Sequence, residues 1–237
     1  MAAPFPSPTT TWHSNTYSSL SPTRPELSAK GKTILITGGG TGIGAATARS
    51  FAEAGASRIA LLGRREQPLH DTKASIEKDF PHVDVSVASA DITSRSDVDK
   101  AFAAFLGDSG KLHVLVSNAA MTGPMGRAGD SDADEVAEGV DQNVRGSLYV
   151  AQAFLRHASA DAVAIDVSSS AAHLDFGGVF ASYSIAKMAV IRLWDSIASA
   201  NPGLFVFHIQ PGVVDTEMNR KAGGTAALGY EDHGQWR

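Results

Sequence analysis

The stretch "TILITGGGTGIG", residues 33–44, changes character at its midpoint. Its first five residues are β-branched or aliphatic and form a short strand. The next seven include Gly38, Gly42 and Gly44, and from about residue 43 the chain takes up a helical pattern. A strand that turns on glycines into a helix brings backbone N–H groups and the positive end of a helix dipole to one point. That arrangement suits a pyrophosphate. The glycines permit the tight turn and the close approach of backbone to phosphate, with Thr41 and Ile43 completing the turn.

Working outward, strand-like runs recur at "RIALL" (58–62), "VDVSV" (83–87), "HVLVS" (113–117), "AVAIDV" (162–167) and "LFVFHI" (204–209). Helix-length segments near 43–54, 69–79, 94–106, 131–158 and 179–200 separate them. Alternation of this kind predicts parallel strands joined by crossover helices, and near-continuous Val, Ile and Leu predicts strands buried on both faces. The expected fold is α/β, a doubly wound parallel sheet of six strands, with residues 31–237 as one dinucleotide-binding domain. Residues 1–30, rich in Ser, Thr and Pro, read as an arm that is disordered or lies over the body. The polar, Gly-rich residues after 212 offer no further strand, so 204–209 is expected at a sheet edge with Phe205 and Phe207 on it.

Composition narrows the function classes. A net charge of −5 with scattered Lys and Arg provides no footprint for nucleic acid. No apolar run approaches the ~18 residues of a membrane span. The absence of cysteine removes disulfides and thiolate chemistry, and the eight histidines follow no metal-binding spacing, so no metal is expected. The first 30 residues fit neither a secretory signal nor a typical transit peptide, which leaves the cytoplasm as the default location. No GxSxG elbow occurs, and no Walker-type lysine follows the glycines.

Two further stretches carry chemistry. Where an acidic residue would accept the ribose 2′-hydroxyl of NAD, the chain reads "LLGRRE", with Gly63 in the carboxylate's place and Arg64 and Arg65 after it. A guanidinium matches a 2′-phosphate in charge and geometry, so NADP is the expected cofactor and Arg64 its 2′-phosphate contact. In "ASYSIAKMAV" (181–190), Tyr183 and Lys187 are four apart and share a helix face. A nearby cation lowers the pKa of a phenol from its usual value of about 10, which predicts that Lys187 tunes Tyr183 as a general acid/base.

Taken in order, "TGGGTGIG", "DIT" at Asp91, "SNAA" at Asn118, "DQNVRG" at Asn143, "VSSSAA" at Ser170, "YSIAK" at Tyr183 and Lys187, and "PGVVDT" at 211–216 resemble the short-chain dehydrogenase/reductase family. The resemblance spans residues 33 to about 217. It implies an NADP(H)-dependent oxidoreductase interconverting a carbonyl and an alcohol on a small or medium organic substrate. The family's serine lies 13 residues before its tyrosine, which selects Ser170 from the run Ser168, Ser169, Ser170. By the same resemblance Lys187 holds the nicotinamide ribose and Asn143 supports a kinked helix with a water-linked proton path. Asp91 contacts the adenine, Asn118 the ribose side, and Val214 and Thr216 the nicotinamide amide and phosphates.

Family members continue well beyond the Pro-Gly motif into a substrate-covering helix and a last strand. With the chain ending at Arg237, an abbreviated form lacking both is expected, truncated after about 217. A homodimer through the helices bearing Asn143 and Tyr183 remains compatible with that form, whereas a tetramer through the missing strand does not. The alternative reading is a non-catalytic NADP-binding or interaction protein.

Overall fold

The computed structural model describes residues 17–107, 110–174 and 178–224. Six parallel strands form one sheet in the order β3-β2-β1-β4-β5-β6. They are β1 (Thr33–Thr37), β2 (Arg58–Gly63), β3 (Asp84–Ser89), β4 (Leu112–Ser117), β5 (Ala158–Val167) and β6 (Phe205–Ile209). The helices are α1 (Gly42–Glu53), α2 (Glu66–Asp79), α3 (Arg95–Leu106), α4 (Ala133–His157), α5 (Ala181–Ala200) and the short α6 (Glu217–Lys221). This is the doubly wound Rossmann-like sheet that the alternating sequence pattern predicts.

Every residue of β1 is buried, because the strand has helices on both faces. Ile34 and Ile36 pack with Ala48 and Ala52 of α1 and with Leu69 and Ile76 of α2. Leu35, pointing the other way, joins Phe102 of α3, Phe154 of α4 and Trp194 of α5. The crossovers therefore change sides between β1 and β4. Neighbouring strands diverge there at their C-terminal ends, and a crevice opens above them.

Two boundaries differ from expectation by three residues or more, and one strand differs in its burial. Helix α2 begins at Glu66, three residues earlier than periodicity suggests, since Pro68 is tolerated in a first helical turn. Strand β5 starts at Ala158, directly after α4, through the unremarkable run "ASAD"; Ala158 pairs with Leu112 ahead of a register shift. Strand β6 is the sheet edge, as expected, but it is not buried on both faces. Phe205, Phe207 and Ile209 are 57, 54 and 43% exposed. Register sets them beside Val163, Ile165 and Val167 on the α1/α2 side of the sheet. On that side α1 lies against β1 and β2, and α2 against β2 and β3.

Of the N-terminal arm, residues 1–16 lie outside the described residues. The part from Tyr17 makes two short 3-10 turns, Ser18–Leu20 and Pro25–Leu27. It then joins the body: the Ala29 N–H donates to the Ala54 carbonyl at 2.8 Å, and Ala29 is buried. The segment 225–237, where the lid and last strand are expected to be lacking, is also outside the described residues.

Candidate active site

The crevice is a cavity of about 790 Å³ running from the β1–α1 turn to the N-terminal end of α5. At its first end, Gly38 and Gly42 have φ of +68° and +53°, a region that L side chains rarely occupy. Gly44 lies beneath the turn rather than on the cavity wall. A Cβ there would stand 2.2 Å from the Gly38 carbonyl oxygen and 2.8 Å from Asn118 Nδ2. Thr41, Gly42 and Ile43 form the wall, and no side chain caps the N-terminus of α1. Asn118 is tied below them, its Nδ2 donating to the Thr37 carbonyl at 2.9 Å.

Arg64 and Arg65 follow β2 and also line the cavity. Arg65 pairs with Glu217 of α6 at 2.7 Å, linking this rim to the far side of the mouth. Asp91 lines the wall between them while its Oδ1 accepts from the Thr93 N–H and hydroxyl at 2.9 and 2.8 Å. It is thus both a turn residue and a wall residue. Val214 and Thr216 close the opposite side, with the Thr216 hydroxyl capping α6 through the Asn219 N–H.

At the other end, the first turns of α5 bring Tyr183 and Lys187 onto the cavity wall. Close packing of α5 on α4 makes this possible. Ser182 donates to the Val136 carbonyl at 3.0 Å, and its Oγ lies 2.5 Å from where a Cβ on Gly139 would be. Lys187 is 5% exposed; its ammonium donates to the Val167 carbonyl at 2.6 Å and sits 5.8 Å from the Tyr183 ring centroid.

The electrostatics differ from expectation. Burial pushes the Tyr183 phenol above its ordinary value; a hydrogen bond with Ser169 works against that, and the Asp166 charge adds to it. Burial likewise pushes Lys187 down, opposed by Asp166. Ser169 lines the cavity together with the expected Ser170. Ser169 caps the 3-10 turn Ser170–Ala172, accepting from the Ala171 N–H, while Ser170 enters the turn and lines the cavity beside it. Spacing alone does not register that turn.

Asn143, 6% exposed in α4, has both ends of its amide engaged. Its Oδ1 accepts from the Met121 N–H at 3.1 Å, and its Nδ2 donates to the Met121 and Gly139 carbonyls at 3.0 and 2.8 Å. It holds the loop after β4 against α4, and it borders the cavity.

Sequence reasoning passed over Thr37. It is 1% exposed, and its hydroxyl accepts from the Asn118 and Ala119 N–H groups at 2.9 and 3.0 Å. The signal available was a polar residue ending an otherwise apolar strand. Two polar atoms in the cavity wall, Ser168 Oγ and Asn219 Nδ2, are buried without a partner among the described residues. Together with the open glycine turn, they fit an elongated, polar, phosphate-bearing ligand of dinucleotide size.

Comparison with known proteins decides the family: residues 32–226 match the profile of the short chain dehydrogenases. The chain belongs to the short-chain dehydrogenase/reductase family. It is 33% identical over 230 residues to the short chain dehydrogenase/reductase AacuD of Aspergillus aculeatus, covering 96% of this chain and 79% of that one. Among solved structures of the family, an alcohol dehydrogenase from Thermococcus sibiricus complexed with 5-hydroxy-NADP superposes with TM-score 0.71. It is 26% identical, over 78% of this chain and 77% of that one. NAD+-bound xylitol dehydrogenase gives TM-score 0.71 at 29% identity, over 78% and 71%. This short-chain dehydrogenase/reductase is an oxidoreductase by family. Among its described residues no group of three or more His, Cys, Asp or Glu could hold a metal, and no helix is long and apolar enough to cross a membrane.

Proposed function

We propose that the protein is an NADP(H)-dependent oxidoreductase that interconverts a carbonyl and an alcohol on a small or medium organic substrate, with Tyr183 as general acid/base. The observation that carries this reading is one cavity with Tyr183, Lys187 and Ser170 in its wall at one end and the glycine turn at the N-terminus of α1 at the other. The nicotinamide, when bound, supplies or accepts the hydride.

The chain's own residues supply the rest. The β1–α1 turn, from Gly38 through Gly42 and Ile43, receives the pyrophosphate, and Gly44 keeps the helix start close beneath it. Arg64 faces the 2′-phosphate, since Gly63 has no carboxylate to reject it. Asp91 borders the adenine, Asn118 the ribose, and Val214 and Thr216 the nicotinamide amide and phosphates.

In reduction Tyr183 donates its proton to the substrate oxygen as negative charge develops there. The phenol is protonated at neutral pH, which is the form this step needs. Ser170, with Ser169 beside it in the cavity wall, hydrogen-bonds the same oxygen. The Lys187 ammonium, within 5.8 Å of the ring, stabilises the phenolate left behind and reaches the ribose. Asn143 acts as a positioning residue through Met121.

The test is a carbonyl panel with NADPH, in wild type and Tyr183→Phe. Turnover that drops about 100-fold or more on removing the hydroxyl, with NADPH binding retained, supports the reading. Binding of NADPH without turnover on any substrate assigns the chain instead to a non-catalytic NADP-binding role, and NADH binding as tight as NADPH removes the cofactor preference. Sedimentation of the purified chain tests the homodimer.

A further inference from the structure

One charged cluster lies outside the residues used above. Asp166, the penultimate residue of β5, is 1% exposed. A buried carboxylate is costly unless it is paired. Its partner is on the neighbouring strand: register sets His208 of β6 opposite it, and His208 Nδ1 stands 3.0 Å from Asp166 Oδ2. The other imidazole nitrogen reaches Asp195 Oδ1 of α5 at 3.3 Å, so the ring bridges a buried carboxylate and a half-exposed one. Arg192 approaches the outer carboxylate at 4.0 Å. Among the described residues, Asp166 makes no other ion pair.

The next residue along β5 is Val167, whose carbonyl receives the Lys187 ammonium. Lys187 makes no ion pair of its own among the described residues, although it is buried. The carboxylate that would balance it is therefore one residue away along the strand, paired with the imidazole. Its charge acts on both members of the Tyr183–Lys187 pair.

We propose that Asp166, held by His208 across the β5–β6 ladder, is a positioning carboxylate that serves as the buried counter-charge of Lys187. It touches neither substrate nor cofactor in this role. It keeps the ammonium charged in a place where burial favours the neutral amine. The inference rests on the proposed function for its catalytic meaning, but the electrostatic arrangement can be tested without it.

The experiment uses the full chain without ligand. Lysine side chains are labelled at the ε-carbon and followed by carbon NMR against pH, with Lys187 assigned by the signal lost in Lys187→Met. Removing the carboxylate in Asp166→Asn, or in Asp166→Ser should the first variant fail to fold, moves the Lys187 titration to lower pH by about half a unit or more. Asp195→Asn, on the outer side of the imidazole, leaves it in place. A merely structural Asp166 would lower the melting temperature and leave the titration unchanged, and an unchanged Lys187 titration in a folded neutral variant overturns the proposal. The shift observed in a protein that turns over no substrate upholds the counter-charge and rejects the catalytic reading; turnover without the shift does the reverse.

Discussion

Replacing Asn143 with alanine is expected to cost far more than an ordinary polar truncation. Its amide is the partner of both the Met121 N–H and the Met121 carbonyl. Alanine leaves both without that partner, whereas the Gly139 carbonyl keeps its place in the α4 ladder. An unsatisfied buried backbone group costs about 1–3 kcal/mol, and Met121 is only partly buried, so the low half of that range applies to each. The two groups together come to about 2–4 kcal/mol. For a chain of this size that corresponds to a fall in melting temperature of about 5–12 °C. Thermal and urea unfolding followed by circular dichroism measure it. Asn143→Asp is the sharper companion, because it retains the acceptor for the Met121 N–H but turns a carboxylate oxygen towards two carbonyls. It should be at least as damaging as alanine. Stability within about 0.5 kcal/mol of wild type for either variant would refute the reasoning.

Other outcomes follow from single contacts. Arg64→Ala should weaken NADPH binding by about 10- to 100-fold and leave NADH binding unchanged, as fluorescence titration would read, since a charge-assisted hydrogen bond contributes about 1.5–3 kcal/mol. Gly44→Ala pushes a methyl into the Gly38 carbonyl, 2.2 Å away, and should both destabilise the chain by about 1–3 kcal/mol and impair dinucleotide binding. For pH, the Tyr183 phenol is raised in the folded state, so its contribution to stability is fully present below the unfolded value of about 10 and is lost as pH rises through the folded one. The stability of wild type relative to Tyr183→Phe should therefore be flat to about pH 9.5 and decline beyond pH 10 in urea titrations. The lowered Lys187 value acts in the opposite direction, stability rising with pH towards about 10.5, but it is common to both proteins and largely cancels in the difference.

Much of the fold was legible because its strands are apolar runs separated by helix-length segments. The β1–α1 turn announces itself through Gly38, Gly42 and Gly44, and the Tyr183–Lys187 spacing puts two groups on one helix face whatever the tertiary context. What escaped depends on that context. Ser169 and Ser170 both line the cavity where a 3-10 turn starts at Ser170, and no spacing rule registers that turn. The phenol is governed by burial, and a helical repeat cannot report how deeply a side chain sits. Asp166 and His208 are 42 residues apart and become partners only through strand register. Thr37 looks like the end of a strand until Asn118 and Ala119 are seen to converge on it.

That threonine has a mechanical meaning. β1 and β4 are the strands between which the connections swap faces, and the Asn118 amide on the Thr37 carbonyl is one tie between their tips. The Thr37 hydroxyl spans the gap, accepting two amides from the chain leaving β4 and donating to the Val116 carbonyl at 3.4 Å, which exhausts its bonding capacity. One oxygen atom thus acts as the rivet that fixes how far the sheet splits, and with it the width of the slot available to whatever lies along its floor.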